Sequence, residues 1–277
     1  MTGPSTTESR IQLRMHPLVP RLLRVVDHEL LAPAMRRLVF SGEDLAQPFP
    51  FAPLTVSDHV KLVFPEVESG EIHLPAVVED RLVMPEGRPR PIFRDYTVRA
   101  YDSGAQRLTI DFVLHDHGIA GRWAHNATLG DALGVLGPRG SHLYPADFEN
   151  YLIAGDETAL PAMARWVEEL PSRARAEVFI SLANPGEKIT LASRPGINVT
   201  YLDRSAQGSA VLLDAVQNFL RPAGDLFVWV AGEAAAVKPI RRHVRDVLEI
   251  PAEHADIDGY WKQGTAGLDH HDQADDD

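Results

Sequence analysis

The sequence predicts two domains: an N-terminal antiparallel β-barrel of six strands, then a C-terminal α/β domain built on a parallel sheet. Three observations predict this. From Arg21 to about His142 apolar and polar residues alternate in short runs separated by Pro and Gly, with no amphipathic helix. After Tyr144 short apolar runs alternate with helical spacing, which implies strands crossed over by helices. The 277 residues suffice for two domains of ordinary size.

In the first half the expected strands are Arg21–His28, Met35–Ser41, His59–Phe64, Arg94–Asp102, Arg107–His115 and Ala132–Leu136. Between Pro65 and Pro91, five prolines counting both ends predict an irregular excursion over one side of the barrel. In the second half Tyr151–Gly155 reads as a buried strand. Leu160, Met163, Val167 and Leu170 step as one face of a helix. Strands Ala176–Ala183 and Ile197–Leu202 follow, then a helix carrying Val211, Leu212, Ala215, Val216 and Phe219. Strand Leu226–Ala231 and a helix with Val237, Ile240, Val244 and Val247 complete the pattern. The expected barrel domain is 18–147, the α/β domain 148–265, and 266–277 a disordered acidic tail with five aspartates in its last nine positions.

Composition narrows the function. The net charge, 27 − 39 = −12, argues against a nucleic-acid partner. No run of 18 apolar residues predicts a membrane span, and Met1–Arg10 lacks the apolar core of a signal peptide. The absence of cysteine excludes disulfides, thiolate zinc sites and iron–sulfur clusters, and suits a reducing cytoplasm. His270 and His271 have no further ligands at metal-binding spacing, so no metal site is expected.

Five stretches carry candidate chemistry. In Arg94-Asp95-Tyr96-Thr97-Val98-Arg99 the two arginines offer forked, permanent charges suited to a pyrophosphate. Tyr96 offers a flat stacking surface, and Thr97 a short hydroxyl for a ring nitrogen. A solvated strand can hold the same residues, so this motif gains weight from its neighbours. The second stretch runs from Asp111 through His115, His117, Gly118, Ala120 and Gly121 to Trp123. Its small residues let backbone N–H groups approach an anion or a flavin edge; the structural alternative is a strand–turn–helix connection with Trp123 as core anchor. The third, Gly134 to Ser141, is a tight turn at the domain seam bearing Arg139. The fourth, Gly155-Asp156-Glu157-Thr158, joins strand to helix, where unpaired N–H groups and the dipole suit a phosphate. Its two carboxylates would repel phosphate and fit helix capping instead. A matching turn is Gly232-Glu233. The fifth is Asp258 to Gly264, in which Tyr260 and Trp261 pin the C-terminus or close a cofactor cleft, with Lys262 facing an acidic ligand.

RDYTVR, HDHGIAGRW, GPRG, AGDETALPAMARWVEELP, WVAGEAAAVKPIRRHVR and GYWKQG occur here in that order. On these motifs residues 18–265 resemble the siderophore-interacting protein family, flavin-dependent ferric-siderophore reductases related to ferredoxin–NADP reductases. The resemblance implies FAD held by Arg94, Tyr96, Thr97, Val98 and Arg99, and wrapped by His115, His117, Gly118, Ala120, Gly121 and Trp123. It implies NADH or NADPH facing Gly155, Asp156, Glu157, Thr158, Gly232 and Glu233. Lys61, Arg139 and Lys262 would attract an anionic ferric siderophore.

The implied reaction is reduction of siderophore-bound Fe(III) to Fe(II) by NAD(P)H through FAD, in a cytoplasmic monomer. No catalytic acid or base and no protein ligand to iron is required. The alternatives are a flavin reductase serving a protein partner such as ferredoxin, and a non-catalytic iron-chelate binder. Asn184, Lys188 and Arg204 lie near where a 2′-phosphate would sit, but strand register leaves NADH and NADPH both open.

Overall fold

The computed structural model describes residues 10–84, 86–116, 118–192 and 194–265; His117 and the 266–277 tail lie outside them. By internal contacts the chain forms two compact units, one of residues 14–142 with 186–189 and one of the remainder.

The first unit takes in β2 (Pro20–Ala32), β3 (Met35–Ser41) and β4 (His59–Val63), after the short β1 (Gln12–Met15). Then come β5 (Ala76–Val78), β6 (Arg81–Val83), β7 (Phe93–Thr97), β8 (Ala100–Asp102) and β9 (Arg107–Val113). Helix α1 (Ile119–Asn126), β10 (Ala132–Leu136) and β11 (Gly140–Leu143) follow. Seven strands form one antiparallel sheet in the order β7-β4-β10-β2-β3-β9-β8. Alternation fills its interior: Leu23, Val25, Leu38, Phe40, Val60, Leu62, Leu108, Ile110, Phe112, Leu133 and Val135 form one buried cluster.

The sheet corrects three expectations. The strand predicted over Arg94–Asp102 is two strands, because the chain changes partner at its middle. The Val98 N–H donates to the Asp58 carbonyl at 2.7 Å and the Arg99 N–H to the Thr109 carbonyl at 3.0 Å. The two ends of the ladder, β7 and β8, are therefore consecutive pieces of chain, separated by Val98 and Arg99; no ladder joins them among the described residues. A helix, α1, interrupts the stretch that otherwise reads as strands alone, at the place where a strand–turn–helix connection was the structural alternative. The Pro65–Pro91 excursion holds a hairpin, β5–β6, whose two turn residues Glu79 and Asp80 have φ of 48° and 62°.

The second unit alternates as expected: β12 (Asn150–Asp156), α2 (Leu160–Glu169), β13 (Arg175–Leu182), β14 (Ile197–Asp203), α3 (Arg204–Gln207), α4 (Val211–Gln217), β15 (Leu226–Glu233) and α5 (Ala234–Asp246). A fifth strand, β16 (Ala255–Trp261), was not anticipated; the aromatics Tyr260 and Trp261 end it. The sheet is parallel throughout, ordered β14-β13-β12-β15-β16. On one face Leu152, Ala154, Val228 and Val230 pack with Leu212 and Val216 of α4 and Val237, Ile240 and Val244 of α5. On the other, Trp166 of α2 packs its ring 5.7 Å from Tyr151, 6.1 Å from Phe227 and 6.5 Å from Trp229. Strand order reverses direction between β12 and β15, and ligands of such sheets bind beyond the carboxyl ends at that point.

Candidate functional site

In the first unit the candidate residues converge from β7, β9 and α1. Tyr96 of β7 lays its ring 4.5 Å from Phe112 of β9, and Phe112 lies 6.2 Å from Trp123 of α1. Burial pushes the Tyr96 phenol well above its ordinary pKa, against the opposing charge of Arg94. Trp123 also stacks on Phe40 at 6.4 Å and meets Phe64 edge-on at 5.7 Å. It anchors α1 to the buried cluster of the antiparallel sheet, as the structural alternative held. Val98 and Ala120 are buried in the same cluster, and Thr97 is buried at the end of β7.

The two arginines separate. Arg99 lies 3.9 Å from the buried Asp111 carboxylate, which also takes a two-pronged pair from Arg37 at 2.7 and 2.8 Å. Arg94 is half-buried, donates to the neighbouring Phe93 carbonyl at 2.7 Å, and meets no carboxylate among the described residues. That leaves Arg94 the more available cation.

The turn before α1 closes on itself. Gly118 has φ +81°, and a Cβ at Gly121 would sit 2.6 Å from the His115 carbonyl oxygen and 2.9 Å from its Nδ1. The start of α1 carries no side-chain cap, its N-cap being Gly118. The donor set fits FAD: a half-buried cation without a carboxylate, an uncapped helix start for the diphosphate, and an aromatic face on β7.

In the second unit Asp156 is a hub. Its Oδ1 accepts from the Thr158 N–H (2.9 Å) and hydroxyl (2.6 Å). Its Oδ2 accepts from the Glu233 N–H (2.9 Å) and the Trp261 indole Nε1–H (2.9 Å). One carboxylate thus ties together the carboxyl ends of β12, β15 and β16. Burial, and then the charge of Glu157, raise its pKa above the ordinary value; the bonds from Thr158 and Trp261 oppose that. The backbone around it is tightly fitted. A Cβ at Gly155 would fall 2.6 Å from the Ala231 carbonyl oxygen and 2.8 Å from the Ala159 methyl, and one at Gly232 2.8 Å from Asp156 Oδ2.

The acidic residues here divide their work. Glu233 caps α5 by accepting the Ala236 N–H at 2.9 Å. Glu157 instead pairs with Arg204, whose Nη2 reaches both carboxylate oxygens at 2.7 and 3.0 Å. Sequence reasoning named Arg204 without its partner. It missed Trp261 as the donor to Asp156, a contact spanning 105 positions.

The candidate substrate cations are already paired in the first unit. Lys61 bonds both oxygens of Asp95, opposite it on β7, at 3.0 and 3.1 Å. Arg139 bonds Asp80 at the β5–β6 turn and the His16 carbonyl at 2.7 Å. The Arg139–Asp80 pair is open on both sides, 44% and 57% exposed, so exchanging it for another anion costs little; Lys61 is 45% exposed but Asp95 only 15%, so that pair is the more firmly held. Lys262, in the second unit, is exposed just past β16. Among the described residues no cluster of His, Asp and Glu could hold a metal ion, and no helix is long and apolar enough to cross a membrane.

Comparison with known proteins covers both units. Residues 24–142 match the model of the siderophore-interacting FAD-binding domain, and residues 148–264 that of siderophore-interacting protein. A ferric vibriobactin reductase of Vibrio cholerae is 33% identical over 260 residues, covering 92% of this chain and 93% of its own length. An NADPH-dependent ferric-chelate reductase of Escherichia coli is 36% identical over 244 residues, covering 87% and 92%. The crystal structure of a siderophore utilization protein from T. fusca superposes with a TM-score of 0.87 at 43% identity, covering 94% of this chain and 99% of that one.

Proposed function

Because the chain belongs to the siderophore-interacting protein family, we propose that it is a ferric-siderophore reductase, an FAD-dependent oxidoreductase that takes electrons from NAD(P)H and acts as a cytoplasmic monomer. The observation that carries this reading is the unbroken match: an FAD-binding model on one unit, its partner model on the other, and relatives over nearly the whole length that are named ferric reductases. FAD, when bound, supplies the centre that accepts electrons in a pair from a nicotinamide and releases them singly to Fe(III).

The protein's own residues bind and orient. Arg94 and the first-turn N–H groups of α1 hold the diphosphate. Tyr96 offers a ring face, and its packing on Phe112 fixes the plane it presents. Arg99 lies 3.9 Å from the Asp111 carboxylate, which offsets part of its charge, so it lends less charge than Arg94. Trp123 keeps α1 seated on the core, which holds the Gly118–Gly121 turn in place. In the second unit Asp156 keeps three strand ends assembled before a dinucleotide arrives.

Lys61, Arg139 and Lys262 attract the anionic ferric chelate, exchanging the carboxylates of Asp95 and Asp80 for it. Hard oxygen ligands hold Fe(III) more tightly than Fe(II), so reduction loosens the iron and no protein ligand is needed. The purified protein is expected to be yellow, to bleach anaerobically with NADH or NADPH, and to regain colour on adding a ferric siderophore. Bleaching by reduced ferredoxin alone would replace NAD(P)H with a protein donor. A protein that stays colourless after incubation with FAD would overturn the reading.

A further inference from the structure

The parallel sheet has the strand order of a nucleotide-binding half, with β12 as its first strand, β13 its second and β14 its third. In such sheets the end of the second strand lies by the ribose of the adenosine. A carboxylate there accepts from the 2′- and 3′-hydroxyls, whereas a nearby arginine accommodates a 2′-phosphate. At the end of β13 the chain reads Ser181-Leu182-Ala183-Asn184, with no acidic residue. The Arg204 guanidinium lies across this end instead, its Nη1 3.2 Å from the Ser181 carbonyl oxygen and 3.1 Å from the Ser181 Oγ.

The anion facing Arg204 comes from another strand. The nearest carboxylate in sequence, Asp203, caps α3 by accepting from the Ser205 and Ala206 N–H groups. Glu157, just beyond β12, makes the two-pronged pair with Arg204 Nη2. The pair is partly open to solvent, with side chains 24% and 14% exposed. A carboxylate on a planar guanidinium, with a hydroxyl alongside, is the donor geometry that a phosphate monoester also fills.

Resting on the reading of this unit as the nicotinamide-dinucleotide module, we infer that Arg204 and Ser181 form the subsite for the 2′-phosphate of NADPH, and that Glu157 holds Arg204 in place as a stand-in anion until the dinucleotide displaces it. The guanidinium keeps an anionic partner in both states, and Glu157, 14% exposed, is the group that gives up its partner on exchange. The phosphate carries more charge and more acceptor oxygens than the carboxylate, and Ser181 adds a hydroxyl donor that Glu157 leaves unused.

The test is calorimetric binding of 2′,5′-ADP and of AMP, which differ by the 2′-phosphate alone, to the full-length flavin-loaded protein. Wild type is expected to prefer 2′,5′-ADP by about tenfold or more, the range for losing a charge-assisted pair. Arg204→Gln should bring that ratio close to one. Glu157→Gln, which removes the competitor, should raise the ratio by about threefold or more. Arg204→Lys, which keeps charge and loses the fork, should fall between wild type and Arg204→Gln. Thermal midpoints of each variant separate misfolding from lost binding, and Glu157→Gln tests the idea by a gain. Equal binding of the two nucleotides by wild type, or a ratio untouched in both Arg204→Gln and Glu157→Gln, overturns the inference and leaves the dinucleotide module standing. Failure to bind 2′,5′-ADP, AMP, NADP+ and NAD+ alike overturns the module and the inference together.

Discussion

At Gly155 the missing side chain is what lets β12, β15 and α2 meet, since an added methyl would collide with the Ala231 carbonyl and the Ala159 methyl. Gly155→Ala is expected to destabilise the second unit by about 1–3 kcal/mol, the usual cost of overpacking a close-fitted interior. Denaturant unfolding measures it, and a midpoint equal to wild type would contradict the tight fit. The sequence pointed to Gly155 through Thr158 and to Gly232-Glu233 because each follows an apolar run and precedes a helical one. What it could not display was which oxygen meets which hydrogen. Asp156 reads as a capping residue, and it does fold the turn at Thr158; its bond to Trp261 exists because β16 lies beside β15. The same holds for Arg94 and Arg99. They are equivalent in the motif, and Asp111 on β9 distinguishes them only once the sheet has formed.

Elements defined by their own residues were legible. Met35–Ser41 and Ala132–Leu136 alternate clearly and emerged with the expected bounds. Strand β16 did not, because Ala255-Asp256-Ile257-Asp258-Gly259 has no apolar run and becomes a strand by pairing with β15 at the sheet edge. The β5–β6 hairpin turns on Glu79-Asp80 rather than on Asn-Gly or Asp-Gly, so its usual signal is missing. Strand β16 also brings a pH dependence. Burial, and then the Asp258 charge, push Asp256 up to about 7, while the Tyr144 hydroxyl bonds its carboxylate. Between about 4 and about 7 the folded chain then holds a proton that the unfolded chain has released, so this group's contribution to stability declines as pH rises through that window. Asp256→Asn removes the decline. Its melting midpoint should gain on wild type from pH 4 to pH 7, by a few degrees, and hold that gain above pH 7. A constant difference across the range would show that Asp256 titrates normally.

For the whole molecule, a net charge of −12 opposes an anionic chelate, so under the proposed function its capture would depend on local cations. Lys61→Gln, Arg139→Gln and Lys262→Gln combined should raise the KM for a ferric siderophore several-fold and flatten its salt dependence, with the FAD absorbance retained. Unchanged KM and salt slope in steady-state assays would remove these three from substrate capture. Strand β10 bears on how the first unit comes into being. It is the piece between β4 and β2, bonded to both, yet it is made last of the three. While the ribosome works through the roughly 70 intervening residues, for several seconds at usual elongation speeds, β2 and β4 each leave a strand edge bare. Those edges are ready templates for a neighbouring nascent copy, and chaperone demand should peak in that interval and end when Ala132–Leu136 clears the exit tunnel.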